Sequence, residues 1–387
     1  MKSSIGVAVI GAGMAGRAHA QGYRSASTVF AAGLPEVRLV AIADVNEDLG
    51  ADAVRRYGYE RAETGWQAIA AAPDIDAVSV VVANTLHREI VEELLAAGKH
   101  VLCEKPLAPS VEDARAMVKA AERSRRVTAV GFSFRRSPAI GAIRERVAAG
   151  ELGRPLHFNG HYWCDYGSAA DAPMSWRYKG GPGSGILADV GSHLVDLAEF
   201  LCGPVESVNG AVLSTVIPDR PVPLGTAIGH AGGVELSDRR EPVENEDVAT
   251  FTATFAGGAV GTFSVSRVAH ALPNALGFEL FCAGGSAAFD VSRPAEFTVS
   301  DSAAGGHRRI LAGPEHPYIA GGLAMDFPGV SHGVNDFFTY QARAFLEQIA
   351  GVDGLPPCAD FAAGLHNLEL LDAVVESAGP DGGALPG

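Results

Sequence analysis

The chain has 387 residues, of which 47% are hydrophobic and 19% charged, and its formal net charge is -15 at pH 7. This length allows two buried cores, so two domains are expected. The acidic balance argues against a nucleic-acid partner, because phosphate binding depends on Lys and Arg that release counterions. The longest apolar runs fall short of the roughly 18 residues that a membrane span requires, so no membrane partner is expected.

The first residues enter a strand-like run, "SSIGVAVIGAG", without the charged, apolar and small-residue pattern of a leader, which predicts a cytoplasmic location. The five cysteines are scattered and nowhere form a Cys-x-x-Cys pair. We therefore expect neither a disulfide framework nor a metal site.

Residues 1–130 alternate short apolar runs with alanine-rich stretches of helical character. The runs are "IGVAVIGAG", "VRLVAIADV", "AVSVVVAN", "HVLCEKP" and "VTAVGF", and helices are expected near 14–24, 46–57, 64–72, 87–97 and 110–125. Continuous apolar runs are typical of strands buried on both faces, and their alternation with helices predicts a parallel, doubly wound sheet. The fold class is therefore α/β, with an amino-terminal Rossmann domain over 1–130.

Longer strands rich in Thr, Val and Phe follow residue 131, and two of these stretches contain Gly-Gly turns of hairpin type. They predict a second domain over 131–387 with a mainly antiparallel sheet. The stretches 215–246 and 300–333 are expected to be long irregular loops. The last two helices are expected near 334–350 and 360–378. Packing of these helices on the first domain is a further possibility that the sequence leaves open.

The segment "VAVIGAGMAGRAHA" places Gly11, Gly13 and Gly16 in Gly-x-Gly-x-x-Gly spacing, with Met14 and Ala15 between the last two. The first glycine permits a tight turn, the second allows backbone amides to approach a pyrophosphate, and the third lets the helix pack on the strand. Glycine clusters also form ordinary turns. The strand before and the helix after this one predict a dinucleotide site.

Asp44 ends the second predicted strand, where a carboxylate binds the adenosine ribose hydroxyls and repels a 2'-phosphate. NAD is therefore the expected cofactor. Asp44 lies 28 positions after Gly16 (44 minus 16) rather than about 20, because "STVFAAGLPEV" lengthens the crossover. The alternative role for Asp44 is a helix N-cap.

The loop in "VVVANTLHREI" follows the next strand and contains Asn84, Thr85 and His87. Because ligands bind at the carboxyl ends of parallel strands, this loop is expected to line the cofactor cleft. Capping of the next helix is the alternative for Asn84 and Thr85.

Oxidation of an alcohol with a nicotinamide requires a base for the hydroxyl proton and a group that stabilises the developing alkoxide. In "GSGILADVGSHLVDLAEFL", Asp189 and His193 stand four apart on a helical stretch, so the carboxylate can orient the imidazole. A solvated or capping histidine is the alternative. Lys105 in "LCEKPLA" would lower the pKa of a substrate hydroxyl, unless this segment is an ordinary solvated loop.

The glycine motif, Glu-Lys-Pro, "GFSFRRSP", "SWR" and Asp-x-Gly-x-His together resemble the glucose-fructose oxidoreductase and inositol dehydrogenase family (Gfo/Idh/MocA). The resemblance spans most of the chain and is closest to the sugar dehydrogenases of the family, such as the levoglucosan and inositol dehydrogenases. It implies a carboxyl-terminal α/β domain for substrate binding and oligomerisation, whose open sheet pairs subunits into homodimers or homotetramers.

The resemblance also implies a catalytic trio of Lys105, Asp189 and His193, and it is compatible with a cis bond before Pro106. Glu104 would reach the nicotinamide ribose, and Arg177 of "SWR" is assigned to the cofactor site. Two segments depart from the common pattern. Where the family commonly has Thr-Pro-Asn, this chain has Val82-Ala83-Asn84, and where the family often has Asn-Tyr-Arg, this chain has Ser133-Phe134-Arg135.

The candidate substrate residues combine aromatic faces, which pack on sugar rings, with groups that hydrogen-bond hydroxyls. They are Lys105, Phe134, His161, Tyr162, Asp165, Trp176, Asp189 and His193. Tyr162 and Trp163 alternate faces of a strand, so one of them is expected in the core. His332 and Asn335 are weaker candidates, with helix capping as the alternative.

The sequence thus predicts an NAD-dependent dehydrogenase that oxidises a secondary ring hydroxyl of a sugar, cyclitol or sugar derivative to a ketone. An aminosugar or aminocyclitol substrate is an alternative that rests on the acidic excess and the segment "EPVENED". A non-catalytic NAD- and sugar-binding sensor and an enzyme that cleaves glycosides through transient oxidation are also compatible with these residues.

Overall fold

The computed structural model describes residues 3–225, 234–301 and 305–379. The chain divides into two compact units. The first comprises Met1–Pro138 and Ala312–Leu368, and the second comprises Ala139–Leu311 and Glu369–Gly387. The first unit therefore includes segments on the carboxyl side of residue 130.

The first unit contains a six-stranded sheet in the order β3-β2-β1-β4-β5-β6, and every neighbouring pair is parallel. The strands are β1 (Ser4–Ile10), β2 (Glu36–Ala43), β3 (Arg61–Glu63), β4 (Ala77–Val80), β5 (His100–Cys103) and β6 (Thr128–Val130). Val7, Ala8 and Val9 of β1 are fully buried, as expected of a central strand covered on both faces. The predicted Rossmann sheet is confirmed.

Helices connect these strands close to the predicted positions. They are α1 (Met14–Val29), α2 (Glu47–Tyr57), α3 (Trp66–Ala71), α4 (His87–Ala96) and α5 (Val111–Ser124), and α8 (Asp336–Ala350) belongs to the same unit. Helix α8 packs on α1 at Gly22, where a Cβ would lie 2.8 Å from the carbonyl oxygen of Phe338. The close approach of the two helices requires this glycine.

The second unit contains an eight-stranded sheet in the order β16-β15-β14-β13-β7-β12-β11-β8. All neighbours are antiparallel except β7 and β12, which are parallel. The strands are β7 (Pro155–Trp163), β8 (Val205–Ser214), β11 (Val248–Phe255), β12 (Val260–Ser266), β13 (Ala275–Cys282), β14 (Gly285–Asp290), β15 (Glu296–Asp301) and β16 (Gly306–Leu311). The predicted fold class is confirmed.

The stretch 215–246 is not wholly irregular, so that prediction is wrong in part. Strands β9 (Asp219–Pro223) and β10 (Leu236–Pro242) pair in an antiparallel ribbon. Residues 226–233 and 302–304 of the two predicted loops lie outside the described part of the chain. The prediction of an irregular loop over 300–333 is also wrong in part, because β16 (Gly306–Leu311) lies in this stretch and pairs antiparallel with β15 (Glu296–Asp301).

Helix α7 (Ser192–Cys202) follows a π-helical turn (Leu187–Gly191). The helix lies directly on β7, because a Cβ on Gly160 would lie 2.9 Å from the Leu194 side chain. Helix α6 (Pro138–Ala148) precedes β7, and α9 (Phe361–Ala378) ends the described chain. Across residues 3–225, 234–301 and 305–379, none of the helices has both the length and the apolar character that crossing a membrane demands.

Candidate active site

The glycine turn between β1 and α1 has the geometry of a dinucleotide-binding loop. Gly11 has φ of 101°, and a Cβ there would lie 2.1 Å from the Val81 carbonyl oxygen. A Cβ on Gly16 would lie 1.8 Å from the carbonyl oxygen of Gly11. At Gly13, by contrast, no described residue other than its own chain neighbours comes within 4 Å of a Cβ position. Gly11 and Gly16 therefore allow backbone contacts that a side chain would block, and Gly13 leaves open space beside the turn.

Helix α1 begins at Met14, and Gly13 is its N-cap without a side-chain hydrogen bond. Met14 is exposed, Ala15 is half-buried and Gly16 is buried. The first amides of a helix lack intrahelical acceptors, and the helix dipole favours an anion beside them. The open position at Gly13 and these amides fit a pyrophosphate.

Asp44 follows β2 and is held next to the same turn. Its Oδ2 accepts a hydrogen bond from the Ala12 amide at 2.7 Å, and its Oδ1 accepts one from the Asn46 amide at 2.8 Å. The N-cap of α2 is Asn46, whose side chain accepts from the Leu49 amide, so Asp44 is not the cap. Each carboxylate oxygen retains a lone pair that can accept a ribose hydroxyl. These residues fit NAD.

The loop after β4 contains Asn84 in a 3₁₀ turn (Asn84–Leu86), followed by His87 at the start of α4. His87 is buried, and its two ring nitrogens lie 3.1 Å from the carbonyl oxygens of Val82 and Leu107. Burial lowers the pKa of His87. The imidazole therefore bridges the loops after β4 and β5.

Glu104 and Lys105 follow β5 and precede the cis Lys105–Pro106 peptide bond. Oε2 of Glu104 accepts a hydrogen bond of 3.2 Å from the Lys105 amide. The other oxygen of this carboxylate, Oε1, lies 2.8 Å from Nε2 of His19. His19 Nδ1 lies 3.1 Å from Oγ of Ser79. Because β4 and β5 are neighbouring parallel strands, Glu104 and Lys105 lie at the same edge of the sheet as Asn84.

The second unit places two predicted residues on one helical segment, Asp189 in the π-helical turn and His193 in the first turn of α7. Tyr166 donates a hydrogen bond of 2.7 Å from its hydroxyl to Oδ2 of Asp189. The Tyr162 ring lies 6.3 Å from the His193 ring. His193 is 7% exposed, so it is not a solvated surface histidine.

Sequence reasoning missed Tyr166. It lies in the quoted segment "GHYWCDYG", but its spacing from Asp189 has no helical or strand period. A tyrosine close in sequence to the candidate Asp165 was the one available signal. Burial raises the pKa of Tyr166 well above its usual value, and the Asp189 carboxylate adds to this shift.

Strand β7 separates two of the predicted substrate residues. Tyr162 is buried beside α7, and its hydroxyl donates to Asn274 at 2.8 Å. His161 stacks on Trp163, with ring centroids 4.0 Å apart, and successive strand residues point to opposite faces. The structure therefore does not bring His161 together with Tyr162 and His193, and Tyr162 is the member of the Tyr162–Trp163 pair that is buried.

The remaining candidates of the second unit lie in the loop after β7. Asp165 is half-buried, and Trp176 is 57% exposed with the Arg177 guanidinium 4.4 Å from its ring centre. The Arg177 carbonyl oxygen accepts hydrogen bonds of 3.0 Å from Asn245 Nδ2 and Arg267 Nη1. The exposed indole face is available to a ligand, and the backbone beneath it is fixed.

Three candidates belong to the first unit. Phe134 is buried with its ring 6.0 Å from that of Phe337, which is a core position. His332 is buried and lies 2.9 Å from Ser331 Oγ. Asn335 is the N-cap of α8 without a side-chain hydrogen bond.

The segment "EPVENED" places its last three polar residues in the interior. Asn245, Glu246 and Asp247 are 1%, 2% and 0% exposed, and each is hydrogen-bonded within the second unit. The Glu246 and Asp247 carboxylates are therefore buried, whereas Glu241 is half-buried and Glu244 is exposed. Within the described residues, no group of three or more His, Cys, Asp or Glu could hold a metal ion.

A parallel sheet with this glycine turn and a carboxylate beside it, joined in one chain to a unit with a carboxylate and a histidine on one helical segment, defines a nicotinamide-dependent oxidoreductase. The family model described as an oxidoreductase family with an NAD-binding Rossmann fold (Gfo/Idh/MocA) matches residues 5–132. The model of the Gfo/Idh/MocA carboxyl-terminal domain matches residues 140–288. The chain belongs to the Gfo/Idh/MocA family.

Similar proteins include levoglucosan dehydrogenase of Pseudarthrobacter phenanthrenivorans, which is 38% identical over 97% of this chain and 96% of the relative. The NAD-dependent scyllo-inositol 2-dehydrogenase of Bacillus subtilis is 27% identical over 69% of this chain and 77% of its own. A solved structure of levoglucosan dehydrogenase with NADH and levoglucosan is 34% identical with a TM-score of 0.86 over 97% of both chains. The predicted family, oxidoreductase class and cofactor NAD are confirmed.

Proposed function

We propose that the protein oxidises a secondary ring hydroxyl of a sugar or cyclitol to a ketone, with NAD as the cofactor. One observation carries the proposal. Asp189 and His193 lie at the start of a buried helix that packs on the sheet, and the Asp189 carboxylate is held by Tyr166 at 2.7 Å. The relatives named levoglucosan and scyllo-inositol dehydrogenase support the substrate class.

His193 is the proposed general base, which takes the hydroxyl proton on its imidazole, and Asp189 orients the ring and stabilises its charged form. Lys105, carried by the first unit, is proposed to stabilise the developing alkoxide with its ammonium group. NAD, when bound, supplies the acceptor for the hydride. Asp44 and Glu104 are proposed to bind its two riboses.

The test is a panel of anhydrosugars, free sugars and inositols with NAD and NADP, followed by absorbance of the reduced coenzyme. His193→Ala is expected to lower kcat by about 100- to 10,000-fold, the usual effect of removing a general base. The matched control is His270→Ala, because His270 is an exposed histidine of the same unit. Full turnover by His193→Ala would reject the assignment of the base.

The burial of Glu246 and Asp247 in "EPVENED" favours a neutral substrate over an aminosugar or aminocyclitol. Glu246 and Asp247 are engaged with backbone amides and with Arg267, so they do not offer charge to a cationic ligand. We expect amino sugars to be oxidised no faster than neutral ones at low and high salt. A salt-sensitive preference for the amino sugar would reverse this conclusion.

A non-catalytic sensor and a glycoside-cleaving enzyme would each give a different result in the same assay. A sensor would bind NAD without turnover on any member of the panel. Glycoside cleavage would release an aglycone from a substituted sugar, while a simple dehydrogenase leaves that bond intact. The pairing of Asp189 with a phenol donor supports catalysis over a sensor.

We propose further that the open face of the eight-stranded sheet binds a second copy of this chain. His157 stacks on Phe281 with ring centroids 5.6 Å apart, and Phe281 is 44% exposed. Asn159 donates to Glu279, and Thr262 donates to Asn159. This flat face mixes aromatic and hydrogen-bonding groups, as subunit interfaces do, and a homodimer or homotetramer is expected.

A further inference from the structure

Three consecutive polar residues between β10 and β11, Asn245, Glu246 and Asp247, are almost fully buried. Asp247 Oδ1 accepts a hydrogen bond of 2.7 Å from Nε of Arg267, which is itself fully buried. Asn245 Nδ2 donates to the carbonyl oxygens of Arg177 and Lys179 at 3.0 Å. Glu246 is therefore held between two anchored neighbours.

Glu246 makes three hydrogen bonds to one short turn. Its Oε2 accepts from the Gly183 amide at 2.8 Å and its Oε1 from the Leu187 amide at 3.0 Å. Its carbonyl oxygen accepts from the Ile186 amide at 3.1 Å. At Gly185 a Cβ would lie 2.4 Å from that carbonyl oxygen, so the turn and Glu246 are in direct backbone contact.

The turn that Glu246 holds leads directly into the catalytic segment. Leu187 is the first residue of the π-helical turn that contains Asp189, and α7 with His193 follows without a break. A hydrogen bond to Leu187 therefore holds the first residue of this turn, and the bond from Tyr166 holds Asp189 within the same turn. Both contacts therefore act on the turn that carries the Asp189 carboxylate.

We propose that Glu246 is a positioning residue for the dehydrogenase reaction, which sets the placement of Asp189 and His193 through the Gly183–Leu187 turn. This inference rests on the proposed function. Both carboxylate oxygens accept from amides, so an isosteric glutamine would turn its NH₂ group toward one N–H and lose that bond. Displacements of about 1 Å at such distances from the chemistry cost roughly 100-fold in rate.

The test compares Glu246→Gln with Glu244→Gln in the full-length protein. Glu244 is a matched control, because its carboxylate also accepts from a glycine amide of this loop, Gly180 at 3.0 Å, but it is exposed and pairs with Lys179. Glu246→Gln is expected to lower kcat about 10- to 100-fold, with a sugar KM within about threefold of the parent and an unchanged Kd for NAD. Glu244→Gln is expected to retain the parent kcat.

Glu246→Asp serves as the second variant, since it keeps two acceptor oxygens on a shorter side chain, and it is expected to recover part of the lost kcat. Parent kcat in Glu246→Gln would overturn the inference, as would an equal loss in Glu244→Gln. Loss of NAD binding or of cooperative unfolding in both Glu246 variants would also overturn it, because the role would then be general stability. A parent protein without turnover would instead reject the proposed function.

Discussion

The hydroxyl of Tyr166 donates a 2.7 Å hydrogen bond to Oδ2 of Asp189, and these two residues lie 23 positions apart in the chain. Burial and the adjacent carboxylate raise the pKa of the Tyr166 phenol well above its usual value. The phenol therefore stays protonated at every pH at which the protein would act. Asp189 has a permanent neutral donor, which stabilises its ionised form.

Replacement of Tyr166 by Phe removes this donor without changing the shape of the side chain. Hydrogen bonds to charged groups contribute about 1.5–3 kcal/mol, so we expect kcat to fall about 10-fold or more. The Asp189 carboxylate becomes more basic, so the acid limb of the pH profile of kcat should shift to higher pH. The profile is measured by steady-state kinetics.

Tyr59→Phe is the control for this prediction. The Tyr59 hydroxyl is buried in the first unit and has no hydrogen-bond partner among the described residues. Its removal should leave kcat and the profile unchanged. An unaltered profile in Tyr166→Phe would contradict the assigned role of the phenol.

Replacement of Asp44 tests the proposed ribose site for NAD. Asp44→Ala removes the acceptor that the Ala12 and Asn46 amides hold in place. A hydrogen bond from a ribose hydroxyl to this charged acceptor would contribute about 1.5–3 kcal/mol. We therefore expect the Kd for NAD to rise about 10- to 100-fold and the ratio of the Kd values for NADP and NAD to become smaller. Fluorescence titration with reduced NAD and NADP measures both.

Asp48→Ala is the matched control for Asp44, because Asp48 is an exposed acidic residue in the first turn of α2. Its Kd for NAD should equal that of the parent. Tight NAD binding in Asp44→Ala would show that the ribose is bound elsewhere.

His316 predicts a pH dependence of stability. Burial lowers its pKa from 6.5 to about 4, the charge of His332 acts in the same direction, and Glu315 opposes it. Between these two values the unfolded state binds more protons than the folded state, so the free energy of unfolding rises with pH through this window. This stability is lost as pH falls from 6.5 toward 4, and its full size is about 3 kcal/mol.

The variant His316→Asn removes the titrating ring but keeps an acceptor for the Tyr318 amide, which donates to Nδ1 of His316. We expect the difference in unfolding temperature between neutral and acid pH to be smaller in the variant than in the parent. An identical difference in both proteins would show that His316 does not contribute.

The proposed subunit interface is tested by Phe281→Glu. Phe281 is exposed on the open sheet face beside His157, and a buried unpaired carboxylate there would cost several kcal/mol of association free energy. We expect a lower molecular mass by light scattering. Leu272→Glu is the control, since Leu272 is exposed outside the strands. An unchanged mass in Phe281→Glu would place the interface elsewhere.

Local sequence patterns account for much of the fold. The continuous apolar run of β1 and the glycine spacing before α1 predicted the Rossmann sheet and the turn with Gly11 at positive φ, because strand burial and turn geometry depend on neighbouring residues. The ribbon of β9 and β10 was missed, because its two short strands contain prolines and read as a loop.

Side-chain environments were less predictable. Alternation along β7 showed that Tyr162 and Trp163 face opposite ways, but only the packing of α7 decided that Tyr162 is buried and that His161 lies on the other face. The segment "EPVENED" has the composition of a solvated loop, yet Glu246 and Asp247 within it are buried. Amides and a guanidinium from distant segments satisfy these two carboxylates.

The sequence by itself determined the nucleotide-binding turn, the position of Asp44 after the second strand, the order of strands and helices in the Rossmann sheet, and the family. The tertiary structure alone decided which polar groups meet, as in Tyr166 with Asp189 and Glu246 with Leu187. The physical reason is range. Periodicity and turn preference act within a few residues, whereas a buried hydrogen bond forms between groups that only the folded backbone brings within about 3 Å.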